Sequence, residues 1–174
     1  IRQEYTKFSL DVNDVSSSPF VQFQTWFELT INSKLFYDPT AFCLSTCGKD
    51  MIPTSRIVLL KSYDENGFCF FTNYNSKKGK NISENPNASM LFYWDKLERQ
   101  IRITGEVVKA PEVESDNYFN SRPYSSRIGA IASNQSAVLK SKSELEIRIK
   151  MLEKEYPNNP PRPENWGGFI IKPN

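Results

Sequence analysis

The sequence predicts an α+β fold, mainly β, in which short strands close into a barrel with peripheral helices. Three observations carry this. Five or six β-prone runs follow in near succession, most joined by short turn signals, as in a meander. Aromatic residues make up 13% of the chain, which suits a β-rich core or a site for a flat ligand. At 174 residues, 39% hydrophobic and 24% charged, the chain is one domain with a core of its own.

Residues 1–17 are polar and irregular and predict an extended arm before a domain spanning 18–174. Ser18-Pro19 has the form of an N-cap and first helical residue, and Phe20, Phe23, Trp26, Phe27 and Thr30 follow as one stripe at helical spacing. Thr40 to Cys47 predicts a strand, with Gly48-Lys49-Asp50 as its turn. Its Cys43 and Cys47 share strand parity and are expected to face the core. Arg56 to Lys61 is an apolar, β-branched run with a cation at each end. Asp64-Glu65-Asn66-Gly67 supplies turn residues, and Phe68 to Asn73 is another strand, so the stretch predicts a hairpin. Ser76-Lys77-Lys78-Gly79-Lys80 then opens a short helix to Glu84. A small hydroxyl residue, free backbone N–H groups and lysines at a helix start suit an anion.

Ala88 to Trp94 and Arg99 to Lys109 are further strands, turned at Asp95 to Glu98. In the second, Gln100, Arg102 and Thr104 alternate with Ile101, Ile103 and Gly105. Pro111 opens a helix to about Asn120. Ser126 to Ala132 and Ser141 to Tyr156 are two more, the last with a capping-box pattern and a solvent-facing surface. Pro157 to Pro163 is a proline-rich loop, and Gly167 to Lys172 a final strand.

The formal charge of +2 implies no nucleic-acid partner by itself. No apolar run approaches a membrane span, and the first residues do not read as a signal peptide. The three cysteines lack metal-ligand spacing and predict reduced thiols in a cytoplasmic protein, with no metal site. The chain has no histidine, which removes histidine bases, triads and ligands from these residues.

The order R-x-x-L-x-K, F-x-F-x-T-N and S-x-K-G-K resembles the pyridoxamine 5'-phosphate oxidase family. The likeness continues through Asn85-Pro86-x-Ala88-Ser89, Phe92-Tyr93-Trp94, Arg99-Gln100-Ile101-Arg102-Ile103-x-Gly105, Tyr118-Phe119-x-Ser121-Arg122-Pro123, Ser125-Ser126-x-Ile128-Gly129-Ala130, Ser133-x-Gln135-Ser136 and Trp166-Gly167-Gly168. It covers roughly residues 19–172, and ten ordered motifs are far more specific than one. The resemblance implies a homodimeric, FMN-binding split barrel. It also implies oxidation of pyridoxamine or pyridoxine 5'-phosphate to pyridoxal 5'-phosphate with oxygen as acceptor.

The same resemblance assigns residues. Arg56, Ile57, Val58, Leu59, Phe71 and Thr72 are expected at the flavin, and Lys77 and Lys78 at its phosphate. At the first lysine the family more often has arginine, which adds a bidentate fork. Gln100 is expected to hydrogen-bond the flavin, and Gln135 and Ser136 to reach it across the dimer. Lys61, Tyr118, Arg122 and Ser126 match the group that holds the substrate phosphate, with Tyr118 and Arg122 four apart on one helical face. Arg56 and Lys61 have opposite strand parity, which fits two phosphates better than one. No catalytic side chain is assigned. The family's later segment, with Glu-Phe-Trp-Gln-Gly and Arg-Leu-His-Asp, has no counterpart among these residues. Two expectations stay open there: a tail outside this sequence, or a truncated relative with weakened flavin binding. A flavin- or pyridoxal-phosphate-binding barrel without oxidase activity is the alternative reading.

Overall fold

A computed structural model describes residues 4, 6 and 9–174. Seven strands form one antiparallel sheet: β1 (Ala41–Cys47), β2 (Pro53–Leu59), β3 (Ser62–Asp64), β4 (Gly67–Asn73), β5 (Asn87–Trp94), β6 (Arg99–Lys109) and β7 (Trp166–Pro173). Their order is β2-β1-β5-β6-β7-β4-β3. Five helices accompany them: α1 (Pro19–Ser33), α2 (Lys77–Glu84), α3 (Glu112–Ser121), α4 (Tyr124–Ala132) and α5 (Lys142–Glu155). The fold is α+β, mainly β, as its alternating runs predict.

Two features of the expected meander differ. The last strand is inserted between β6 and β4 instead of closing the series, pairing Phe169 with Phe70 and Ile171 with Val107. And Arg56 to Lys61 does not form a hairpin with Phe68 to Asn73. β2 pairs with β1, placing Arg56 opposite Leu44, while only three-residue β3 turns back onto β4. The chain changes sides between them. Leu60 N–H donates to Thr40 C=O at 2.9 Å, and Lys61 N–H to Cys69 C=O at 2.9 Å. Local sequence shows two strand-like runs and a turn; it does not show that the run breaks at Leu60 to serve two partners.

The core lies on the inner face of the curled sheet. Phe42 and Leu44 of β1, Phe68 and Phe70 of β4, Met90, Phe92 and Trp94 of β5 and Ile171 of β7 are buried there. Helix α1 adds Phe23 and Phe27 as its stripe predicts, with Phe23 edge-on to Phe68 at 4.9 Å between ring centres. Cys43 and Cys47 do share a face, but it is the outer, half-buried one, because Phe42, Leu44 and Thr46 occupy the inner positions. Cys69 is the buried thiol, pushed up to about 11 chiefly by burial.

Ser18, Ser76 and Ser141 cap α1, α2 and α5, each accepting a backbone N–H from three residues on. The described part of the arm includes a 3-10 turn at Val12–Asp14 instead of being extended throughout; residues 1–3, 5, 7 and 8 lie outside the described residues. Helix α3 stops at Ser121. Arg122 is its C-cap, with extended backbone (φ −74°, ψ 150°), because the residue before Pro123 is pushed out of the helical region. Tyr118 and Arg122 are therefore not on one helical face.

Gly129, inside α4, has nothing within 4 Å of where a Cβ would sit. Gly129→Ala is expected to stabilise the fold by about 0.5–1 kcal/mol, raising the melting temperature by a few degrees. An unchanged or lower temperature by scanning calorimetry would contradict this.

Candidate anion-binding site

Strand alternation turns Arg56 inward, in line with Thr54 and Val58, and leaves Ile57 66% exposed on the outer face. The Arg56 guanidinium is held by neutral oxygens. Nη1 donates to Leu44 C=O at 3.1 Å and Thr46 Oγ1 at 2.8 Å, and Nη2 to Thr54 Oγ1 at 2.5 Å. Val58 packs against the core and Leu59 is half-buried.

Helix α2 brings a second cation to this end of the barrel. Lys78 is only 8% exposed, and its Nζ donates to Gln135 Oε1 at 2.8 Å, Thr72 Oγ1 at 3.0 Å and Ser76 Oγ at 3.3 Å. Thr72 also donates to Gln135 Oε1 at 3.1 Å. Burial first, then the nearby Arg56 charge, pushes the Lys78 ammonium down to about 8. Burial likewise lowers the Arg56 pKa. Among the described residues, neither cation is paired with a carboxylate.

The expected residues do not all gather here. Lys77 is half-exposed and paired with Asp50 at 3.1 Å. Gln135 joins the Lys78 cluster from its own chain, as the loop after α4 folds back onto β4. Ser136 is exposed and left-handed (φ 68°), with no hydrogen bond to the cluster among the described residues. Gln100 lies on the outer face of β6, opposite Tyr93.

A second group lies on the other face of β4. Phe71, Tyr118 and Trp166 stack, with Phe71 4.0 Å from Tyr118 and 5.6 Å from Trp166 between ring centres and interplanar angles of 21° and 16°. Lys61 Nζ sits 6.0 Å from the Tyr118 ring centre, and Arg122 Cζ 4.8 Å from that of Trp166. Arg122 Nη1 is buried and has no hydrogen-bond partner among the described residues. Burial lowers the Arg122 pKa, offset in part by Tyr118. Ser126 is half-buried in the first turn of α4.

Arg162 fixes this group. It is paired with Glu112 and with Asp116 at 2.7 Å, and its Nη1 donates to Trp166 C=O at 2.7 Å, tying α3 to β7. Gly167 and Gly168 permit the approach: a Cβ at Gly168 would sit 2.9 Å from Phe71 Cε1, and one at Gly167 would sit 2.1 Å from the Tyr74 hydroxyl.

Sequence reasoning missed Thr46 and Thr54, which accept from Arg56, and Asn81, which donates to both threonines. The signal was present for the threonines, whose strand parity matches Leu44 and Arg56. It was absent for Asn81, whose partners come from two other elements. The site chemistry suits a phosphate-bearing ligand, because buried and half-buried cations that meet only neutral oxygens among the described residues favour a doubly charged anion. No group of metal-ligating side chains occurs among the described residues, and none of their helices is long and apolar enough to cross a membrane.

Comparison with known proteins agrees with this architecture. The family model described as "Pyridoxamine 5'-phosphate oxidase" matches residues 32–155. A pyridoxine/pyridoxamine 5'-phosphate oxidase of Burkholderia thailandensis is 50% identical over 99% of this chain and 80% of its own length. One from Burkholderia mallei is 49% identical over the same shares. Among solved structures, PhzG from Burkholderia lata 383, in complex with tetrahydrophenazine-1-carboxylic acid, superposes with a TM-score of 0.87 at 28% identity, covering 92% of this chain and 79% of that one. A pyridoxamine 5'-phosphate oxidase-related, FMN-binding protein from Nostoc punctiforme shares the fold at TM-score 0.68 and 16% identity, over 91% of this chain and 82% of that one. With most of its length matched by the family model and half its residues shared with curated members, the chain belongs to the pyridoxamine 5'-phosphate oxidase family.

Proposed function

We propose that the chain oxidises pyridoxamine and pyridoxine 5'-phosphates to pyridoxal 5'-phosphate, with FMN as cofactor and oxygen as acceptor, as a cytoplasmic homodimer. One observation carries this reading: four cations without carboxylate partners among the described residues fall into two groups on opposite faces of β4, Arg56 with Lys78 and Lys61 with Arg122. Two phosphate esters need two such places, and a generic flavin barrel needs one. FMN, when bound, would supply the redox chemistry as hydride acceptor, with oxygen as the final oxidant. The protein's part is to hold both partners. Arg56 and Lys78 would take the flavin phosphate, with Thr72, Ser76 and Gln135 orienting the ammonium. Lys61 and Arg122 would take the substrate phosphate, beside the flat Tyr118 and Phe71 rings, with Ser126 within the same group of elements. Fixing both phosphates in advance lowers the entropy lost in aligning the reacting carbon.

The position of Gln100 supports the dimer. It lies on the outer sheet face, where Ile57 is 66% and Tyr93 59% exposed, so in this reading it serves the partner's flavin. Light scattering at micromolar concentration should give twice the chain mass; a flavin-loaded monomer would refute this. The reaction is tested by supplying each B6 phosphate aerobically and following peroxide and pyridoxal 5'-phosphate. Turnover of the phosphorylated amine, far above that of unphosphorylated pyridoxamine, is expected. A flavin-loaded protein that turns over neither phosphate would leave the binding-module reading. The likeness to PhzG supports a second substrate class, a polycyclic carboxylate at the aromatic stack, which the same peroxide assay discriminates.

A further inference from the structure

Asn81 lies three residues after Lys78 in α2 and is 1% exposed. Its amide nitrogen donates to Thr46 Oγ1 at 3.2 Å, Thr54 Oγ1 at 3.1 Å and Thr46 C=O at 3.4 Å. Those two hydroxyls are the same ones that accept from Arg56. Helix α2 thus hangs from the ends of β1 and β2 through the groups that aim Arg56, and one buried side chain sets the helix of Lys78 against the strand of Arg56. The chemistry of that side chain matters as much as its place. Beside one buried and one half-buried cation, a carboxylate would be the ordinary choice, because an uncompensated charge is costly to bury. Aspartate has nearly the shape of asparagine, yet the position holds a carboxamide, and among the described residues the hydrogen-bond partners of Arg56 and Lys78 (Leu44, Thr46, Thr54, Thr72, Ser76 and Gln135) are all uncharged at the contacting atom.

We propose that Asn81 is a positioning and specificity-determining residue of this pocket. It holds α2 on the threonines of Arg56 while adding no charge, so both cations keep their full attraction for a doubly charged phosphate monoester. The inference rests on the reading of Arg56 and Lys78 as the flavin-phosphate pocket. It goes further in naming what makes that pocket prefer the phosphorylated flavin over the same ring system without its phosphate.

The test is a fluorescence titration of FMN and of riboflavin on wild type, Asn81→Asp and Thr54→Asp, with each ligand-free protein also melted. Wild type is expected to bind FMN more tightly than riboflavin. In both variants FMN affinity should fall by about one to two decades while riboflavin affinity stays within about threefold. Both variants should still melt cooperatively without ligand; Asn81→Asp gives up the amide donor to the threonines, so its melting temperature serves as the check of folding. A merely structural asparagine predicts parallel loss of both flavins, and that result overturns the proposal. So does an unchanged FMN affinity in the folded variants. Thr54 is only half-buried, so Thr54→Asp decides the matter if Asn81→Asp fails to fold. A wild type that binds FMN and riboflavin equally overturns the pocket reading itself, a result distinct from either of the others.

Discussion

Arg122→Ala is expected to lose about one to two decades of affinity for pyridoxal 5'-phosphate while FMN binding stays nearly intact. A charge-assisted contact from arginine to phosphate is worth about 1.5–3 kcal/mol, which sets that range. The geometry favours the ligand role over a structural one. Arg122 has a buried Nη1 without a partner among the described residues and stands against the Trp166 ring, 4.8 Å from its centre. A guanidinium serving only as a loop anchor would be expected to use its donors. Circular dichroism checks that the variant is folded, since the Trp166 contact is lost too. Parallel loss of both ligands would show that the two phosphate groups are not separate sites.

Lys78→Met should show the opposite pattern, losing FMN by at least as much and pyridoxal 5'-phosphate little. Its pH dependence gives a second reading. The Lys78 ammonium is held down at about 8 by burial and by Arg56, against the ordinary value of 10.5. Protonated Lys78 binds phosphate and neutral Lys78 does not, so FMN affinity should decline as pH rises above about 8, and this decline should be absent in Lys78→Met. For folding without ligand the sign reverses. The folded pKa lies below the unfolded one, so the stability linked to this group is present above about 10.5 and lost as pH falls through about 8. Cys69 and Tyr74, whose pKa values are raised, act in the other direction at high pH, so the wild-type minus Lys78→Met difference is the quantity to measure. A difference that does not change between pH 7 and 10 would contradict the assignment.

Parts of the site were legible because they are local. The opposite parity of Arg56 and Lys61 already pointed to two anions, and the structure places the first inside the barrel and the second beside Tyr118. Ser76 before two lysines marked the start of α2, and its hydroxyl caps that helix. The hairpin from Arg56 to Asn73 was misread because apolar runs and a turn look alike whether the runs pair with each other or with distant strands. β2 gains more by pairing along seven residues with β1, and the turn at Gly67 serves only the three residues of β3. The facing of Cys43 was misjudged since alternation specifies two faces without saying which is buried; Phe42 and Leu44 decide it by their larger apolar area.

The sequence by itself determined the strand and helix segments, the caps, the identity of the cations and, through ten motifs in order, the family. These are properties of neighbouring residues and of their chemical type. Only the tertiary structure decided that β7 enters between β6 and β4, that Lys77 turns to Asp50 while Lys78 turns inward, and that Asn81 meets Thr46 and Thr54. Whether a charge is buried, and whether anything compensates it, depends on groups from elements far apart in the chain. The sum of their desolvation and hydrogen bonding is set when the sheet curls, which no single segment records.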